Sequence, residues 1–165
     1  MTHPRIGLGW DVHRIEPGRP LRLVGLTLDP DRGPVAHSDG DVLAHAVVDA
    51  LLGAAGLDDI GTLFPDDDPR WKGAAGPALL ELAVAALADA GWRPLQVDAV
   101  IIADRPRIAP HRDALRRALA DCLGLGPGDV NVKGKRTEGL GGLAGGAGIG
   151  CRAIVQIGPL GDTPR

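Results

Sequence analysis

Three side chains with metal-donor chemistry stand out by type and spacing: Asp11, His13 and His45. One residue separates Asp11 from His13, so an extended chain points both to the same side and offers two good donors to one point. His45 lies four residues from Asp41 and four from Asp49, which stacks the three along one helix face. Such a stripe serves a solvated face; two acids flanking a histidine is also how a metal-bound imidazole is oriented. Two histidines and one carboxylate, with a fourth position open, form the donor set of a catalytic zinc site, not a structural one. A second group is Lys135-Arg136-Thr137-Glu138, two cations, a hydroxyl and an acid in succession. By composition it is a charged exposed turn; a lone acid beside cations also suits a divalent ion already carrying phosphate. Cys122 and Cys151 make no CxxC spacing and sit in apolar patterns, as buried thiols of a reducing compartment do. Neither a nucleophile-elbow GxSxG nor a Walker-type GK[ST] occurs.

The elements that must position these groups follow from periodicity. Arg5 to Trp10 alternates, with Ile6, Leu8 and Trp10 on one face of a first strand. Gly7, Gly9, Asp11 and His13 share the other parity, and glycines there leave room for a ligand's close approach. Leu21 to Leu28, broken at Gly25, suggests a short hairpin, and Asp29 to Gly33 is turn chemistry. Ser38 followed by Asp41 resembles a capping box. Val42, Leu43, Ala46, Val47, Ala50, Leu51 and Ala54 then predict a helix that runs out near Gly53 to Gly56, and its N-terminus offers free N–H groups to an anion. Asp58 to Pro69 is an acidic loop, unusual in holding Ile60, Leu63 and Phe64. Pro77 opens a helix over Ala78 to Ala90, closed by Gly91; Val97 to Ala103 reads as a buried strand. Asp104 to Pro110 is a basic turn, and Pro110 starts a helix ending at Gly124 with Leu115, Ala118, Leu119, Cys122 and Leu123 inward. Val130 to Lys133 begins a further strand, and Cys151 to Ile157 alternates as the last. Strands alternating with three helices predict one sheet covered by helices, in a single domain over 1–158 with a flexible tail over 159–165.

Composition narrows the function. The chain has 165 residues, net charge −3, no Tyr, one Phe and three scattered Trp. No global positive field and no repeated aromatic platform favour nucleic acid. No stretch is apolar and long enough to span a membrane, and the N-terminus carries no signal core, so the expectation is a cytoplasmic protein.

Taken jointly, the residues resemble the methylerythritol cyclodiphosphate synthase family of the non-mevalonate isoprenoid pathway. The resemblance rests on Arg5-Ile6-Gly7-x-Gly9-x-Asp11-Val12-His13, Ala36-His37-Ser38-Asp39-Gly40-Asp41 with His45, and Asp49-Ala50-Leu51-Leu52-Gly53-Ala54. It continues through Asp59-Ile60-Gly61-x-x-Phe64-Pro65-Asp66, Asp68-Pro69, Lys72-Gly73, Pro106, Pro110-His111, Val130-Asn131-Val132-Lys133 and Thr137-Glu138-Gly139-Leu140-Gly141. It implies an α+β fold with a mainly antiparallel or mixed sheet and about three helices, assembled as a homotrimer with sites between subunits. It implies zinc (Zn2+) on Asp11, His13 and His45, and a second divalent ion, Mg2+ or Mn2+, on Glu138 and the substrate diphosphate. The implied substrate is a cytidine-diphosphate-linked methylerythritol phosphate, cyclised with loss of CMP. His37 and Ser38 would contact phosphates, with Asp11 and His13 beside them. Asp59, Ile60, Gly61, Phe64, Pro65, Asp66, Asp67 and Asp68 would hold the methylerythritol. Ala103, Asp104, Arg105, Pro106, Arg107, Ile108 and Ala109 would hold the cytosine. His37, Lys135, Arg136 and Thr137 would stabilise the transition state, with Glu138 completing the phosphate contacts.

The chain departs from the family pattern in places. Arg136 stands where the first hydroxyl of a Thr-Thr-Glu run is usual, so either Arg136 or Thr137 takes that role. Ala75 and Gly76 replace an Asp-Ser pair, and Gly142 and Gly145 stand where an aromatic and an arginine are common. The donor residues by themselves leave two other readings open: a zinc-dependent phosphodiester hydrolase, and a non-catalytic metal- or isoprenoid-binding trimer.

Overall fold

The alternation that starts at Arg5 persists well beyond Trp10: β1 spans Arg5–Pro17 and carries Asp11 and His13 within it. The computed structural model describes residues 3–161. After β1 come β2 (Leu21–Leu23), β3 (Leu26–Asp29), β4 (Arg32–Pro34), α1 (Val42–Ala55), α2 (Ile60–Leu63) and α3 (Gly76–Asp89). β5 (Trp92–Ile102), α4 (Arg112–Leu123), β6 (Val130–Lys135) and β7 (Gly148–Pro159) complete the order. Five strands form one sheet in the order β4-β1-β7-β5-β6; β2 and β3 form a separate hairpin. β1 and β5 pair antiparallel with β7, while β5 and β6 are parallel, joined by α4 as a parallel pair requires. The expected mixed sheet is therefore present, and the fold is a single α+β domain.

α1 explains the layering. Eleven of its residues are buried, because it lies between the sheet and α3. Gly7 and Gly9 face it: a Cβ on either would sit 1.9 Å from a helix carbonyl, Ala50 O or Ala46 O. This corrects the sequence expectation. The space those glycines leave is filled by α1, not by a ligand. The helices cover one face of the sheet, where Val97, Ala99, Ile101, Ile149, Cys151, Ala153 and Val155 are buried. The other face is bare: Ile6, Leu8, Trp10, Val12 and Ile154 are each more than 40% exposed.

Several boundaries differ from expectation for identifiable reasons. α1 does not begin on a Ser38 capping box. Asp41 is its N-cap, accepting from the Leu43 and Ala44 N–H groups. Its other carboxylate oxygen accepts the Val24 N–H at 2.5 Å, at the tip of the β2–β3 hairpin where Val24 holds φ 43°. Asp41 is thus fully buried and belongs to no solvated stripe. α1 ends as expected, with Gly56 in the left-handed region (φ 77°). β4 was hidden in a stretch read as a turn; Gly33 and Pro34 give it no periodicity. The acidic segment is not wholly loop, since Asp59 caps α2 and Asp68 caps a 3₁₀ turn over Pro69–Trp71. Cys151 is buried, but Cys122 is only half-buried, and both are free thiols. The chain stays in the sheet through Pro159, and the Leu160 N–H bonds Gly91 O at 2.8 Å, so the first residues of the expected 159–165 tail are held by the fold. The rest of that tail, 162–165, lies outside the described residues, as do residues 1 and 2.

Candidate active site

The strand β1 and the first turn of α1 bring the three donors together. Asp11 Oδ2 lies 2.9 Å from His45 Nδ1 and 3.1 Å from His13 Nε2. One ligand atom from each residue lies within 4.8 Å of the others. The imidazoles meet edge-on, with centroids 5.7 Å apart and planes at 79°. The His13 contact is close but lacks hydrogen-bond alignment, so His13 Nε2 is buried with no hydrogen-bond partner among the described residues. Leaving a buried polar group unpaired costs about 1–3 kcal/mol. A divalent ion resolves that cost: two imidazole nitrogens and one carboxylate oxygen at one point are a zinc-type donor set with a position to spare. The residues present fit such an ion.

Electrostatics agree with the geometry. Burial works to raise the Asp11 pKa, but the close approach of His13 and His45, and their charges, hold it well below the usual carboxylate range. Burial works to lower His45, yet the Asp11 bond and charge carry it above its ordinary value. On the far side of the His45 ring, Nε2 lies 3.2 Å from Ser38 Oγ. With an ion bound, a hydroxyl accepting from Nε2–H would leave Nδ1 unprotonated, the state a metal ligand requires. Ser38 is thus placed to orient the His45 ring from its far nitrogen, while Asp11 stands beside the near one. Asp41 and Asp49, the flanking acids of the sequence reading, are engaged elsewhere: Asp49 accepts the Ile60 N–H at 2.9 Å and ties the acidic segment to α1.

Above the donors is a cleft of about 380 Å³. Of the anticipated residues, Asp11, His13, His37, Ser38, His45, Ile60, Gly61, Phe64 and Asp66 line it. His37 Nε2 is buried there without a hydrogen-bond partner among the described residues. Asp59, Pro65, Asp67 and Asp68 do not line it; Asp59 and Asp68 serve as caps, and Asp68 also pairs with Arg70 at 2.5 Å. Trp71 lines the cleft and was missed. It packs edge-on against Phe64 at 4.9 Å, and the apolar Phe64 inside an acidic run was its only sequence trace. The replaced pair Ala75-Gly76 also acquires a reason. The Gly76 N–H bonds Asp39 Oδ2 at 2.9 Å, and a Cβ on Gly76 would meet Asp41 Oδ2 at 2.3 Å.

The second half of the anticipated set lies elsewhere. Ala103, Arg107, Ile108, Ala109, Lys135 and Arg136 line a separate cleft of about 220 Å³ that shares no lining residue with the first. Arg105 and Pro106 form a cis peptide beside it. Thr137 is bound to Asp104, and neither lines the cleft. Glu138 is exposed, with φ 53°, and stands outside the Asp11–His13–His45 group. Within one chain, then, the structure assembles the zinc-type donors but does not bring Glu138 or the basic strand end to them.

Comparison with known proteins places this geometry. A 2-C-methyl-D-erythritol 2,4-cyclodiphosphate synthase of Chromobacterium violaceum is 52% identical over 153 residues, covering 93% of this chain and 97% of that protein. The chloroplastic synthase of Arabidopsis thaliana is 47% identical over 153 residues; the chain spans 66% of its length. A solved 2C-methyl-D-erythritol-2,4-cyclodiphosphate synthase in its CDP-bound form superposes with a TM-score of 0.85 at 43% identity, covering 93% of this chain and 100% of that one. The model of the YgbB family matches residues 4–158, and with relatives of this identity across nearly the whole chain, this protein belongs to the YgbB family of 2-C-methyl-D-erythritol 2,4-cyclodiphosphate synthases.

Proposed function

We propose that this protein cyclises a cytidine-diphosphate-linked methylerythritol phosphate to methylerythritol cyclodiphosphate with release of CMP. The observation that carries the proposal is the convergence of Asp11, His13 and His45 beneath a cleft walled by the α1 start and the acidic segment. In this reaction an oxygen of the substrate's own phosphate attacks the β-phosphorus. The new P–O bond closes the ring as the bond to CMP breaks. The nucleophile arrives with the substrate and already anionic, so the chain needs no serine triad and no general base.

What the protein supplies is a folded substrate and a compensated charge. Asp11, His13 and His45 would hold zinc and Glu138 a Mg2+ or Mn2+ ion, and such ions would supply Lewis-acid polarisation of the diphosphate. Ser38 holds His45 in its ligand tautomer. His37, with a buried ring nitrogen lacking a partner, is placed to meet a phosphate oxygen. Phe64 and Trp71 close the cleft around the methylerythritol carbons, with Asp66 beside them and Asp59, Pro65, Asp67 and Asp68 shaping the segment. The turn from Ala103 to Ala109 receives the cytosine, while Lys135 and Arg136 face the diphosphate.

This assignment needs more than one copy. The two clefts share no lining residue, and the sheet face bearing Ile6, Leu8, Trp10, Val12 and Ile154 has no cover. Burying such a side chain is worth roughly 1.5–3 kcal/mol. We infer a homotrimer that buries this face and sets the metal cleft of one subunit against the cytosine cleft of the next. Among the described residues no helix is long and apolar enough to cross a membrane, and a cytoplasmic location is part of this proposal. The test is phosphorus NMR on protein incubated with the cytidylylated substrate. CMP and a cyclic diphosphate are expected; a linear hydrolysed phosphate would assign the site to a zinc phosphodiester hydrolase instead.

A further inference from the structure

One carboxylate joins the turn after β5, the end of β6 and the glycine-rich run. Asp104 Oδ1 accepts the Thr137 backbone N–H at 2.9 Å. Its Oδ2 accepts the Thr137 hydroxyl at 2.7 Å and the Gly145 backbone N–H at 2.7 Å. These bonds, the Thr137 hydroxyl first among them, hold the Asp104 pKa below its ordinary value. The Thr137 oxygen in turn accepts from the Gly139 N–H at 3.2 Å.

A hydroxyl has one proton. In Thr137 that proton is committed to Asp104, and a phosphate oxygen is itself an acceptor, so Thr137 has no donor left to offer one. Its neighbour differs. Arg136 is exposed, lines the second cleft beside Lys135 and Arg107, and makes no side-chain hydrogen bond or ion pair among the described residues. A guanidinium presents five donors in a planar fork and stays charged at any working pH.

We propose that Asp104 is a positioning residue, which consumes the Thr137 hydroxyl, ties the glycine run at Gly145, and leaves Arg136 as the donor that meets the transferring phosphate. The proposal rests on the cyclodiphosphate synthase reading. It goes beyond that reading by giving Asp104 a place outside cytosine recognition and by removing Thr137 from phosphate contact.

A double-mutant cycle tests it. CMP release gives kcat and KM, and calorimetry gives the CDP Kd, for the wild type, D104N, T137V, D104N/T137V, T137S and R136A. Asn cannot accept both N–H groups and the hydroxyl, and Val cannot donate, so each breaks the same link from opposite ends. D104N and T137V should each lower kcat about tenfold, and the pair together no further, because neighbours sharing one interaction are non-additive. T137S should restore kcat. R136A should lower kcat on the order of a hundredfold, while CDP Kd stays within about twofold of the wild type in D104N, T137V and T137S. If T137V matches R136A and adds fully to D104N, the Thr137 hydroxyl meets phosphate and the proposal is wrong. If D104N weakens CDP binding about tenfold at constant kcat, Asp104 reads cytosine and the proposal is equally wrong. A wild type that releases no CMP overturns the parent reading, and this proposal with it.

Discussion

Gly9→Ala tests the link between packing and the metal centre. A Cβ at Gly9 would stand 1.9 Å from Ala46 O and 2.7 Å from Ala50 N. Both are backbone atoms of α1, so no side chain can rotate out of the way. Ordinary Cβ contacts begin at 3.4 Å, so the helix must retreat from β1 by about 1.5 Å. Overpacking costs about 1–3 kcal/mol, and a backbone obstacle puts this case near the upper end. For a domain of this size that is a Tm loss of about 6–12 °C. The same retreat carries His45 away from Asp11 and His13, whereas ligand distances must hold within about 0.2 Å. Zinc affinity should therefore fall on the order of a hundredfold. Calorimetric melting and a zinc titration against a competing chelator measure the two effects. Gly53→Ala is the control, because Gly53 lies in the same helix with nothing within 4 Å of its would-be Cβ. It should stabilise by about 0.5–1 kcal/mol through helix propensity. If Gly9→Ala melts with the wild type and binds zinc as tightly, the strand–helix gap does not set the ligand geometry.

Other substitutions separate fold from chemistry. His45→Ala should abolish stoichiometric zinc by native mass spectrometry while circular dichroism keeps its helix signal, since α1 buries ten other residues; zinc retained at one per chain would refute the ligand set. Asp41→Ala orphans the Val24, Leu43 and Ala44 N–H groups and should cost about 3–5 kcal/mol in a denaturant titration. A loss under about 1 kcal/mol would mean that water takes over those donors. Glu138→Gln should lower turnover at limiting Mg2+ on the order of a hundredfold while CDP still binds, and unchanged turnover there would remove Glu138 from the second metal site.

The parity of Asp11 and His13 made two of the three donors legible, because the side-chain period of a strand is fixed at two. The spacing of His45 within a strongly periodic helix supplied the rest. What could not be read was distance between elements. Gly7 and Gly9 looked like room for a ligand, since nothing local says that α1 crosses β1 at those residues. Ser38 and Asp41 competed for one cap, and the hairpin tip at Val24, seventeen residues before Asp41, decided it by binding Asp41. Asp104 read as one more polar residue in a basic turn because its partners, Thr137 and Gly145, lie 33 and 41 positions away. β4 and the parallel pairing of β5 with β6 were invisible for the same reason.

The glycine parity of β1 has a consequence for how the chain comes to be folded correctly. β1 is paired with β7 from Arg5 opposite Ile157 to Arg14 opposite Gly148. A slip of one residue would turn every β1 side chain to the opposite face. Ile6 and Leu8 would then be driven against the α1 backbone, where not even a methyl fits, and Asp11 and His13 would swing out among the exposed apolar residues. The misregistered sheet is penalised twice, by collision and by loss of the metal ligands. On the proposed metal assignment, bound zinc would report strand alignment: zinc content would fall with the fraction of molecules whose β1 has missed its proper partner residues.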